Sequence, residues 1–363
     1  MKKVLKSVLI IILAVVVLAA GYLAYVLLAF HRIPDMTLLE RDMNPDGGYA
    51  QVGTPYDVCS WNIGFGAYES DYGFFMDGGT ESRAWSEERL EKNMEQICRV
   101  LQEEDADFYL IQEVDRDSTR SYHMDQVPLI RAALPDRPNV WAQNYDSPFL
   151  MYPLTKPFGK AVSGIMTFTP GLHIDDAVRR QLPIESGLTK FLDLDRCYSV
   201  CRVDVAAAEG VSQKDLVIYN MHLSAYTSDG TIANEQLKLL IEDISAEYAK
   251  GNYVVCGGDF NKDILGDSGA YFGKSDIEYT WAQPLPEGIF DNTGLKLIAP
   301  IDEENPVPSC RNADGPYHQG QYVLTIDGFI VSDNVKVESV AVEDLQFAYS
   351  DHNPIRMTFT LMS

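Results

Sequence analysis

The stretch that decides the fold is YVVCGGDFN, Tyr253–Asn261, in which a short apolar run leads into two glycines, an aspartate and an asparagine. An apolar run of this length, bounded by turn residues, predicts a buried strand over Tyr253–Cys256. Asp259 and Asn261 follow the strand directly, and an ordinary Asx turn would account for them taken alone. Ligands of α/β sheets bind beyond strand ends. We therefore looked for other strands that end in the same way.

The chain from Tyr56 onward alternates strand patterns with a few helices. Helical spacing of apolar residues predicts helices over Glu87–Glu104, with Ser86 as N-cap, and over Ile232–Lys250, with Gly251 as the stop. The other predicted strands are Tyr56–Ile63, Asp107–Val114, Gly164–Thr169, Tyr198–Val205, Leu216–Met221, Tyr322–Ser332 and Ile355–Leu361. This alternation predicts one α/β domain with packed layers.

Acids, amides and histidines recur at the ends of these strands. Each has an ordinary explanation on its own: a cap, an ion pair of Glu113 with Arg116 or Arg120, a satisfied core histidine at His222, or turn chemistry. Six such positions at strand ends are harder to dismiss and indicate one shared site. The positions are WN at 61–62, QE at 112–113, NMH at 220–222, GGDFN at 257–261, TID at 325–327 and SDH at 350–352.

On these motifs the sequence resembles the endonuclease/exonuclease/phosphatase superfamily, the metal-dependent phosphoesterases of the pancreatic deoxyribonuclease type. The resemblance runs from about Tyr56 to about Met362, and GDFN with SDH is fairly specific for it. It implies a four-layer α/β sandwich with two central, mainly antiparallel sheets. It also implies hydrolysis of phosphodiester or phosphomonoester bonds by a base-activated water.

The resemblance implies a role for each site residue. Glu113, assisted by the amide of Asn62, fits the position of a Mg²⁺ ion, with Mn²⁺ as an alternative, and Asp351 would complete the metal or water shell. His352 fits the general base, and Asp327 would orient it. Asp259 and Asn261 would position the nucleophile and the phosphoryl oxygens or bind a second metal, and His222 would donate to a phosphoryl oxygen.

Two departures refine the resemblance. The abasic-site endonuclease branch usually carries an acid where this chain has Gly64, and it tends to lack a histidine at the position of His222. The pattern therefore leans toward the deoxyribonuclease, sphingomyelinase and inositol-phosphatase branches, among which the motifs do not choose. Arg179 and Arg180 are candidates for phosphate contacts, with a solvated charge pair as the equal alternative.

The N-terminus carries a membrane segment. Residues 8–30 contain no charge and are long enough to span a bilayer, whereas a cleaved signal peptide typically has a shorter apolar region. We therefore expect an uncleaved single-pass anchor. The basic flank of residues 1–7 would lie in the cytoplasm, and the domain outside it. Residues 31–55 read as a linker, and residues 56–363 as the catalytic domain.

Charge restricts the partners. Residues 1–32 hold four basic residues and no acid, so the rest of the chain carries −28 against −24 for the whole. Such a domain disfavours bulk binding of a polyanion, because nucleic-acid affinity depends on Lys and Arg. A surface nuclease acting on DNA or RNA stays open as an alternative to action on lipid head groups or inositol phosphates. A non-catalytic binding module would show erosion of the catalytic set, which is complete here. We predict no protein partner.

Two further features are open. The segment Gly66–Trp85 is rich in glycine and aromatic residues, and it reads equally as a surface excursion and as a substrate loop or lid. In the second case its rings Tyr68, Tyr72, Phe74 and Phe75 could touch a membrane interface. The six cysteines lie in contexts that argue against disulfides, and the absence of any CxxC leaves a structural zinc site unsupported.

Overall fold

The computed structural model describes residues 1–42, 47–186, 190, 195–206, 214–225, 231–273 and 281–363. Its helices are α1 (Lys2–Ala29), α2 (Glu87–Glu104), α3 (Val127–Ala133), α4 (Thr231–Ala249) and α5 (Gly269–Phe272). Its strands are β1 (Thr37–Leu38), β2 (Arg41–Asp42), β3 (Pro55–Asn62), β4 (Phe108–Asp115), β5 (Asn139–Asp146), β6 (Val162–Phe168), β7 (Ile174–Gln181), β8 (Cys197–Asp204), β9 (Asp215–His222), β10 (Tyr253–Asp259), β11 (Leu295–Ile298), β12 (Cys310–Arg311), β13 (Val323–Leu324), β14 (Asp327–Ser332), β15 (Val335–Val342) and β16 (Ile355–Leu361).

Two sheets form the centre of the molecule. Within the described residues each has seven strands, in the orders β1-β7-β8-β9-β10-β14-β11 and β15-β16-β3-β4-β6-β5-β2. Among the strands named above, β9 with β10 and β3 with β4 pair in parallel, and the other pairs are antiparallel. The mainly antiparallel character expected from the resemblance is confirmed.

Three apolar cores define four layers. The inner faces of the two sheets pack on one another through residues such as Val58, Phe108 and Phe329. The outer face of the second sheet packs on α2, through Leu90 and Met94 among others. The outer face of the first sheet packs on α4. The sandwich is therefore helix, sheet, sheet and helix, as expected.

Helix α2 shows why the sequence pattern worked there. Ser86 accepts a hydrogen bond from the backbone N–H of Arg89, and Glu87 and Glu88 lie in the first turn, where negative charge is favourable. Leu90, together with the apolar residues that follow it at helical spacing, is buried against the sheet. The predicted bounds are those observed.

Residues 31–55 are predicted to be a linker or an irregular lead-in, and the described part of that range also contains two short strands. Strand β1 pairs with β7 and strand β2 pairs with β5, so this segment adds an edge strand to each sheet. Ala50 is buried and bridges to Val205. Strands of two residues are too short to leave a periodic pattern in the sequence, which is why they were missed.

The predicted strand Tyr322–Ser332 is two strands. The backbone carbonyls of Thr325 and Ile326 accept hydrogen bonds from Ile264 and Phe260. These bonds interrupt the strand at Thr325 and Ile326. Before the interruption Val323–Leu324 pairs with β12, and after it Asp327–Ser332 lies in the first sheet. The break places Asp327 at the first residue of β14, beside the end of β10.

Candidate active site

Three strand ends of the first sheet place their polar residues side by side. In the register of β10, Asp259 lies opposite His222 of β9 on one side and opposite Asp327 of β14 on the other. Gly258 precedes Asp259 with a positive φ of 141°, and a Cβ there would lie 2.0 Å from the carbonyl oxygen of Met221. Only glycine fits that backbone, which explains the GGD motif.

His352 and Asp327 form a buried pair. The distance from His352 Nδ1 to Asp327 Oδ2 is 2.8 Å, and the Ser309 hydroxyl donates to the same carboxylate oxygen at 2.7 Å. Trp61 Nε1 donates to the backbone carbonyl of His352 at 2.9 Å and fixes that segment against β3. His352 therefore has its ring orientation set through Nδ1, while Nε2 lies on the side of Asp259, 3.8 Å from its Oδ2.

The ionisation of this pair follows from burial and charge. Burial disfavours a charged imidazole, but the Asp327 carboxylate outweighs it and raises the pKa of His352 well above its ordinary value. Burial raises the pKa of Asp327, against the opposing charge of His352. Burial also opposes ionisation of Asp259, yet His222 and His352 bring the pKa of that carboxyl well below its usual range.

Asn62 joins the two sheets at the site. Its Nδ2 donates to Asp259 Oδ2 at 3.0 Å and lies 3.4 Å from Glu113 Oε1, and its Oδ1 accepts from the backbone N–H of Gly64 at 3.0 Å. The amide thus connects β3 to a carboxylate from β4 and to another from β10.

Glu113 has an unusual backbone. Its φ is 57°, and the pairing of β4 with β6 shifts register between Ile111 and Val114. A bulge of this kind re-aims a side chain, and a non-glycine residue in the left-handed region is a conformation that active sites tend to retain. Burial opposes ionisation of Glu113, but Arg120, 3.4 Å from its Oε2, and His222 lower its pKa below the usual value.

Asp351 is a second acid on this side of the site. Burial raises its pKa to about 6, and the nearby charge of Glu113 adds to the rise. The position of Asp351 also explains why this chain has glycine, and not an acid, at position 64, where φ is 51°. A Cβ at that position would lie 2.8 Å from the Tyr68 ring and 3.2 Å from Asp351 Oδ1. An acidic side chain at position 64 would therefore collide with this wall.

The donor set fits a hard divalent cation. Glu113 and Asp351 present carboxylates whose mutual repulsion would be relieved by a cation. Asp259, Asp327 and His352 also bring one possible ligand atom each within 4.8 Å of one another. Carboxylate oxygens are the ligands that Mg²⁺ prefers. Asp327 Oδ1 is buried and has no hydrogen-bond partner among the described residues.

His222 and Asn261 flank Asp259. His222 Nε2 lies 3.3 Å from Asp259 Oδ2. Burial and the charge of Arg196 lower the pKa of His222, although Asp259 opposes the shift. Asn261 makes the expected Asx turn, since its N–H donates to Asp259 Oδ1 at 2.8 Å, and its side-chain amide donates to the Leu223 carbonyl. His222 is thus aimed at the site rather than into the core.

These residues open into a cavity of about 570 Å³. We call its polar end the polar floor, which consists of Asn62, Glu113, His222, Asp259, Asn261, Asp351 and His352. We call its apolar side the aromatic wall, which consists of Tyr68, Phe74, Phe75, Tyr145 and Phe158. A concave site with a few convergent polar groups and a mostly apolar lining is the usual form of a ligand site.

The two arginines singled out from the sequence lie elsewhere. Arg179 is buried and donates to the backbone carbonyls of Gln143 and Asp195. Arg180 pairs with Asp35 and Asp243. Both guanidinium groups serve the structure of the first sheet, so the candidate phosphate contacts are not supported.

Arg120 and Arg196 line the cavity instead. Arg120 is buried, lies over the ring of Phe65 and pairs with Asp115 and Glu113. The charge of Arg196 acts on both His222 and Glu113, which places it at the polar floor. The sequence suggested Arg120 only as an ion-pair partner of Glu113, a pair that the structure contains, and it did not single out Arg196. A signal existed for Arg196, which stands one residue before a strand, as the other site residues stand at strand ends.

The segment Gly66–Trp85 lines the cavity, and most of the rings named for it are not free to contact a membrane. Tyr68, Tyr72 and Phe74 are buried, and Tyr72 is wholly so. Arg311 fixes the segment by donating to the backbone carbonyls of Glu69 and Tyr72. The expectation that these rings touch a membrane is therefore wrong for these three, and the segment is a wall of the cavity. The six cysteines are free thiols.

A family model described as the Endonuclease/Exonuclease/phosphatase family matches residues 59–352. The structure is similar to an endonuclease/exonuclease/phosphatase from Beutenbergia cavernae DSM 12333, with 17% identity, a TM-score of 0.59 and coverage of 85% of this chain and 72% of that chain. It is also similar to ANGEL2, a 2',3'-cyclic phosphatase, with 15% identity, a TM-score of 0.54 and coverage of 90% and 99%.

A third similar structure is the human Nocturnin catalytic domain, with 16% identity, a TM-score of 0.52 and coverage of 89% of this chain and 98% of that chain. No curated protein sequence matches the chain. The likeness to these structures concerns the fold, and the family match extends from β3 to His352. The resemblance read from the motifs is confirmed.

Proposed function

This chain belongs to the endonuclease/exonuclease/phosphatase family, and on that premise we propose that it is a membrane-anchored, extracytoplasmic, Mg²⁺-dependent phosphoesterase. The observation that carries the proposal is the buried His352–Asp327 pair facing a cluster of carboxylates across one cavity. A non-catalytic relative would have no reason to keep an oriented histidine beside Asp259 and Glu113.

The reaction is hydrolysis of one phosphate ester bond. His352 Nε2 takes a proton from a water molecule, whose oxygen attacks phosphorus, and the P–O bond to the alcohol breaks. Asp327 holds the imidazole through Nδ1, which keeps Nε2 as the accepting atom. Asn62 and Asp259 fix the polar floor by their hydrogen bond, and Asn261 and His222 lie where phosphoryl oxygens would be bound.

Glu113 and Asp351, with the amide of Asn62, would hold the cation. When bound there, Mg²⁺ would neutralise phosphate charge and stabilise the leaving oxygen. Because His352 must be neutral to accept a proton, its raised pKa sets the acid limb of the pH–rate profile above the ordinary value for histidine.

Anchoring rests on helix α1. Its 28 residues contain a strongly apolar window with a mean hydropathy of 2.8, and no residue of that window is buried against the domain. By length and composition the helix can span a bilayer. Lys2, Lys3 and Lys6 lie at its N-terminal end and no basic residue lies in its last turn. This asymmetry favours a cytoplasmic N-terminus and a domain on the outer side. Protease digestion of a C-terminal tag in intact cells, compared with inverted vesicles, tests the side.

The activity test uses the full chain in nanodiscs with bis(p-nitrophenyl) phosphate and p-nitrophenyl phosphate, over a range of Mg²⁺. We expect hydrolysis that saturates with Mg²⁺ and stops in EDTA. Glu113→Gln should raise the Mg²⁺ concentration for half activity at least about tenfold, because a ligand is lost. Glu103→Gln is the matched control, since Glu103 is exposed and pairs with Arg99 on the surface of α2. Equal rates in EDTA and Mg²⁺ would contradict the proposal.

A further inference from the structure

The chain leaving α1 is fixed to the domain at once. Arg32 Nε donates to Asp195 Oδ1 at 2.8 Å, and the backbone N–H of Ile33 donates to Asp195 Oδ2 at 2.7 Å. Arg179, which is buried, holds the same aspartate. His31 lies 3.2 Å from Asp146. The helix therefore does not end in a flexible tether, and the orientation of the domain relative to the helix is set by these contacts.

A second contact lies within the last two turns of α1. The Tyr22 hydroxyl donates to the Phe149 carbonyl at 3.1 Å and accepts from the Met151 N–H at 3.2 Å, and the Tyr25 hydroxyl accepts from the Phe149 N–H at 3.0 Å. These bonds attach the segment 149–154 alongside the membrane helix. The backbone of this segment is thus held at the level of Tyr22 and Tyr25.

The same segment exposes apolar side chains. Phe149 is 36% exposed, Met151 46%, Tyr152 68% and Leu154 81%. Met76, which is 52% exposed, lines the same cavity as Tyr152, and the Phe75 and Tyr152 rings lie 5.7 Å apart. We call residues 149–154 with Met76 the apolar rim. Contiguous exposed apolar residues of this kind mark an interaction surface.

The length of α1 gives the depth of the rim. At 1.5 Å per residue its 28 residues extend about 42 Å, against about 30 Å for the hydrocarbon core. About 12 Å of the helix must lie in the two headgroup regions together, part of it with Lys2, Lys3 and Lys6 on the cytoplasmic side. Tyr25 is about 6 Å and Tyr22 about 10 Å before Ala29 at that rise. Tyrosines are typical of the membrane interface. The apolar rim, bonded to Tyr22 and Tyr25, would then lie where the outer headgroup region meets the hydrocarbon core.

The apolar rim is also the mouth of the cavity. Leu150, Tyr152 and Met76 line the cavity, and the aromatic wall continues from them toward the polar floor. Ring contacts continue from Tyr152 to Phe75 at 5.7 Å, from Phe75 to Phe74 at 4.8 Å and from Phe74 to Tyr68 at 5.6 Å, and His352 lines the same cavity. The path from the interface to the general base is therefore apolar at its start and polar at its end.

We propose that the apolar rim seats in the outer surface of the bilayer and that the substrate is a phosphate ester carried on a membrane lipid. The lipid would enter from the plane of the membrane, with its phosphate on the polar floor and the adjoining apolar part along the aromatic wall. This proposal rests on the proposed phosphoesterase activity and on α1 spanning the membrane. A second copy of this chain fits the rim less well, since the rim is continuous with the surface of a membrane helix.

The first test measures where the rim lies. A nitroxide spin label is placed at Met151→Cys or at Met362→Cys, in a Cys98→Ser background, because the other native cysteines are buried. Met362 is 40% exposed and follows the far end of β16 from His352. In nanodiscs, power saturation should show the label at position 151 accessible to oxygen and shielded from a water-soluble nickel chelate, with the reverse at 362. A label at 151 that is open to the chelate would overturn the proposal.

The second test measures substrate choice. The full chain in phospholipid nanodiscs is assayed on the bilayer lipids and on bis(p-nitrophenyl) phosphate. The double variant Met151→Ser/Leu154→Ser should lose at least about tenfold in kcat/KM on lipid, since two buried apolar groups are lost at the interface, while hydrolysis of the soluble ester stays within about twofold. The matched control is Val52→Ser/Met362→Ser, at the opposite end of the sheets.

The outcomes separate the two proposals. Hydrolysis of the soluble ester with no lipid product, or with lipid rates unchanged by the rim variant, overturns the lipid inference and leaves the phosphoesterase intact. No hydrolysis of any ester overturns the proposed function itself. Lipid hydrolysis that depends on the rim, with the label at position 151 in the bilayer, supports both.

Discussion

The polar floor and the apolar rim belong to one cavity, yet they are held in opposite ways. Asp259 and His352 on the floor are buried, and each is hydrogen-bonded to a residue of the opposite sheet. In the rim, the Met151 and Leu154 side chains are exposed, and the backbone is held by hydrogen bonds to Tyr22 and Tyr25. The floor is specified by the fold of both sheets, whereas the position of the rim is set by its contacts with helix α1. The groups proposed to catalyse the reaction and the groups that fix the position of the cavity mouth thus come from different parts of the chain.

The largest effect should come from the floor. His352→Ala removes the general base, and we expect kcat to fall by about 10²–10⁴. The measurement is the Mg²⁺-dependent rate on bis(p-nitrophenyl) phosphate. His123→Ala is the control, because His123 is exposed and pairs with the exposed Asp117. A fall of less than about tenfold would assign proton transfer to another group.

Asp327→Asn should act through His352. Without the carboxylate that raises it, the pKa of His352 falls, so the acid limb of the pH–rate profile moves to lower pH. We expect kcat also to fall by about 10²-fold or more, because the orientation of the imidazole is weakened. A lower rate with an unmoved acid limb would show that Asp327 serves only the packing of β14.

Arg196→Gln tests binding at the boundary of the floor. Loss of a charge-assisted contact costs about 1.5–3 kcal/mol, so KM should rise about 10–100-fold while kcat changes less. Arg180→Gln is the paired variant and should leave KM within about twofold, since Arg180 bonds Asp35 and Asp243 away from the cavity. Equal effects of the two variants would contradict the assignment of Arg196.

Asp351→Asn tests the cost of ionising this buried carboxyl beside Glu113. The folded chain keeps a proton on Asp351 up to about pH 6, whereas the unfolded chain loses it near pH 4, so the folded state binds more protons in that window. Stability of the metal-free chain should therefore fall as pH rises through it. The expected loss is about 1–3 kcal/mol.

Urea unfolding in detergent, at pH 5.0 and 7.5 with EDTA, measures this difference. Asp351→Asn should remove most of it, while Asp117→Asn at the surface should not. Added Mg²⁺ should restore stability at pH 7.5 in the wild type but less so in Asp351→Asn. If the variant kept the full pH dependence, Asp351 would not be its source.

The smallest effect is expected at the rim. Tyr152→Ser removes a 68% exposed ring, so the free energy of unfolding should change by less than about 0.5 kcal/mol. Urea unfolding and the soluble-ester rate check this. A loss of several kcal/mol would mean that the rim is part of the folded core, and the contrast with the floor would fail.

The sequence predicted the floor better than the rim for a physical reason. Asn62, Glu113 and Asp259 stand where strands end, and strand patterns are read from short-range periodicity. Their convergence follows from sheet topology, which the family resemblance supplied. The apolar residues of the rim follow no helical or strand periodicity. The position of the rim depends on the contact of Tyr22 with Phe149, which is distant in the sequence and therefore invisible to local patterns.

The prediction for Arg179 and Arg180 failed for a related reason. Charge alone does not tell whether a guanidinium faces a ligand or the backbone carbonyls of its own sheet. Arg179 is buried and satisfied by carbonyls, whereas Arg196, one residue before a strand, faces the cavity. Alternate residues of a strand lie on opposite faces of its sheet. Which face each residue of β7 and β8 occupies could not be assigned before the pairing of the strands was known.

The short strands β1 and β2 each close the open edge of a different sheet. A soluble fragment cut at Tyr56 would lack both and would leave β7 and β5 with unpaired backbone groups. Such edges template aggregation by strand pairing. A fragment that begins at Arg32 would keep both edge strands and the hydrogen bond between Arg32 and Asp195. The choice of cleavage point, more than loss of the membrane helix itself, should decide whether the released domain stays monomeric.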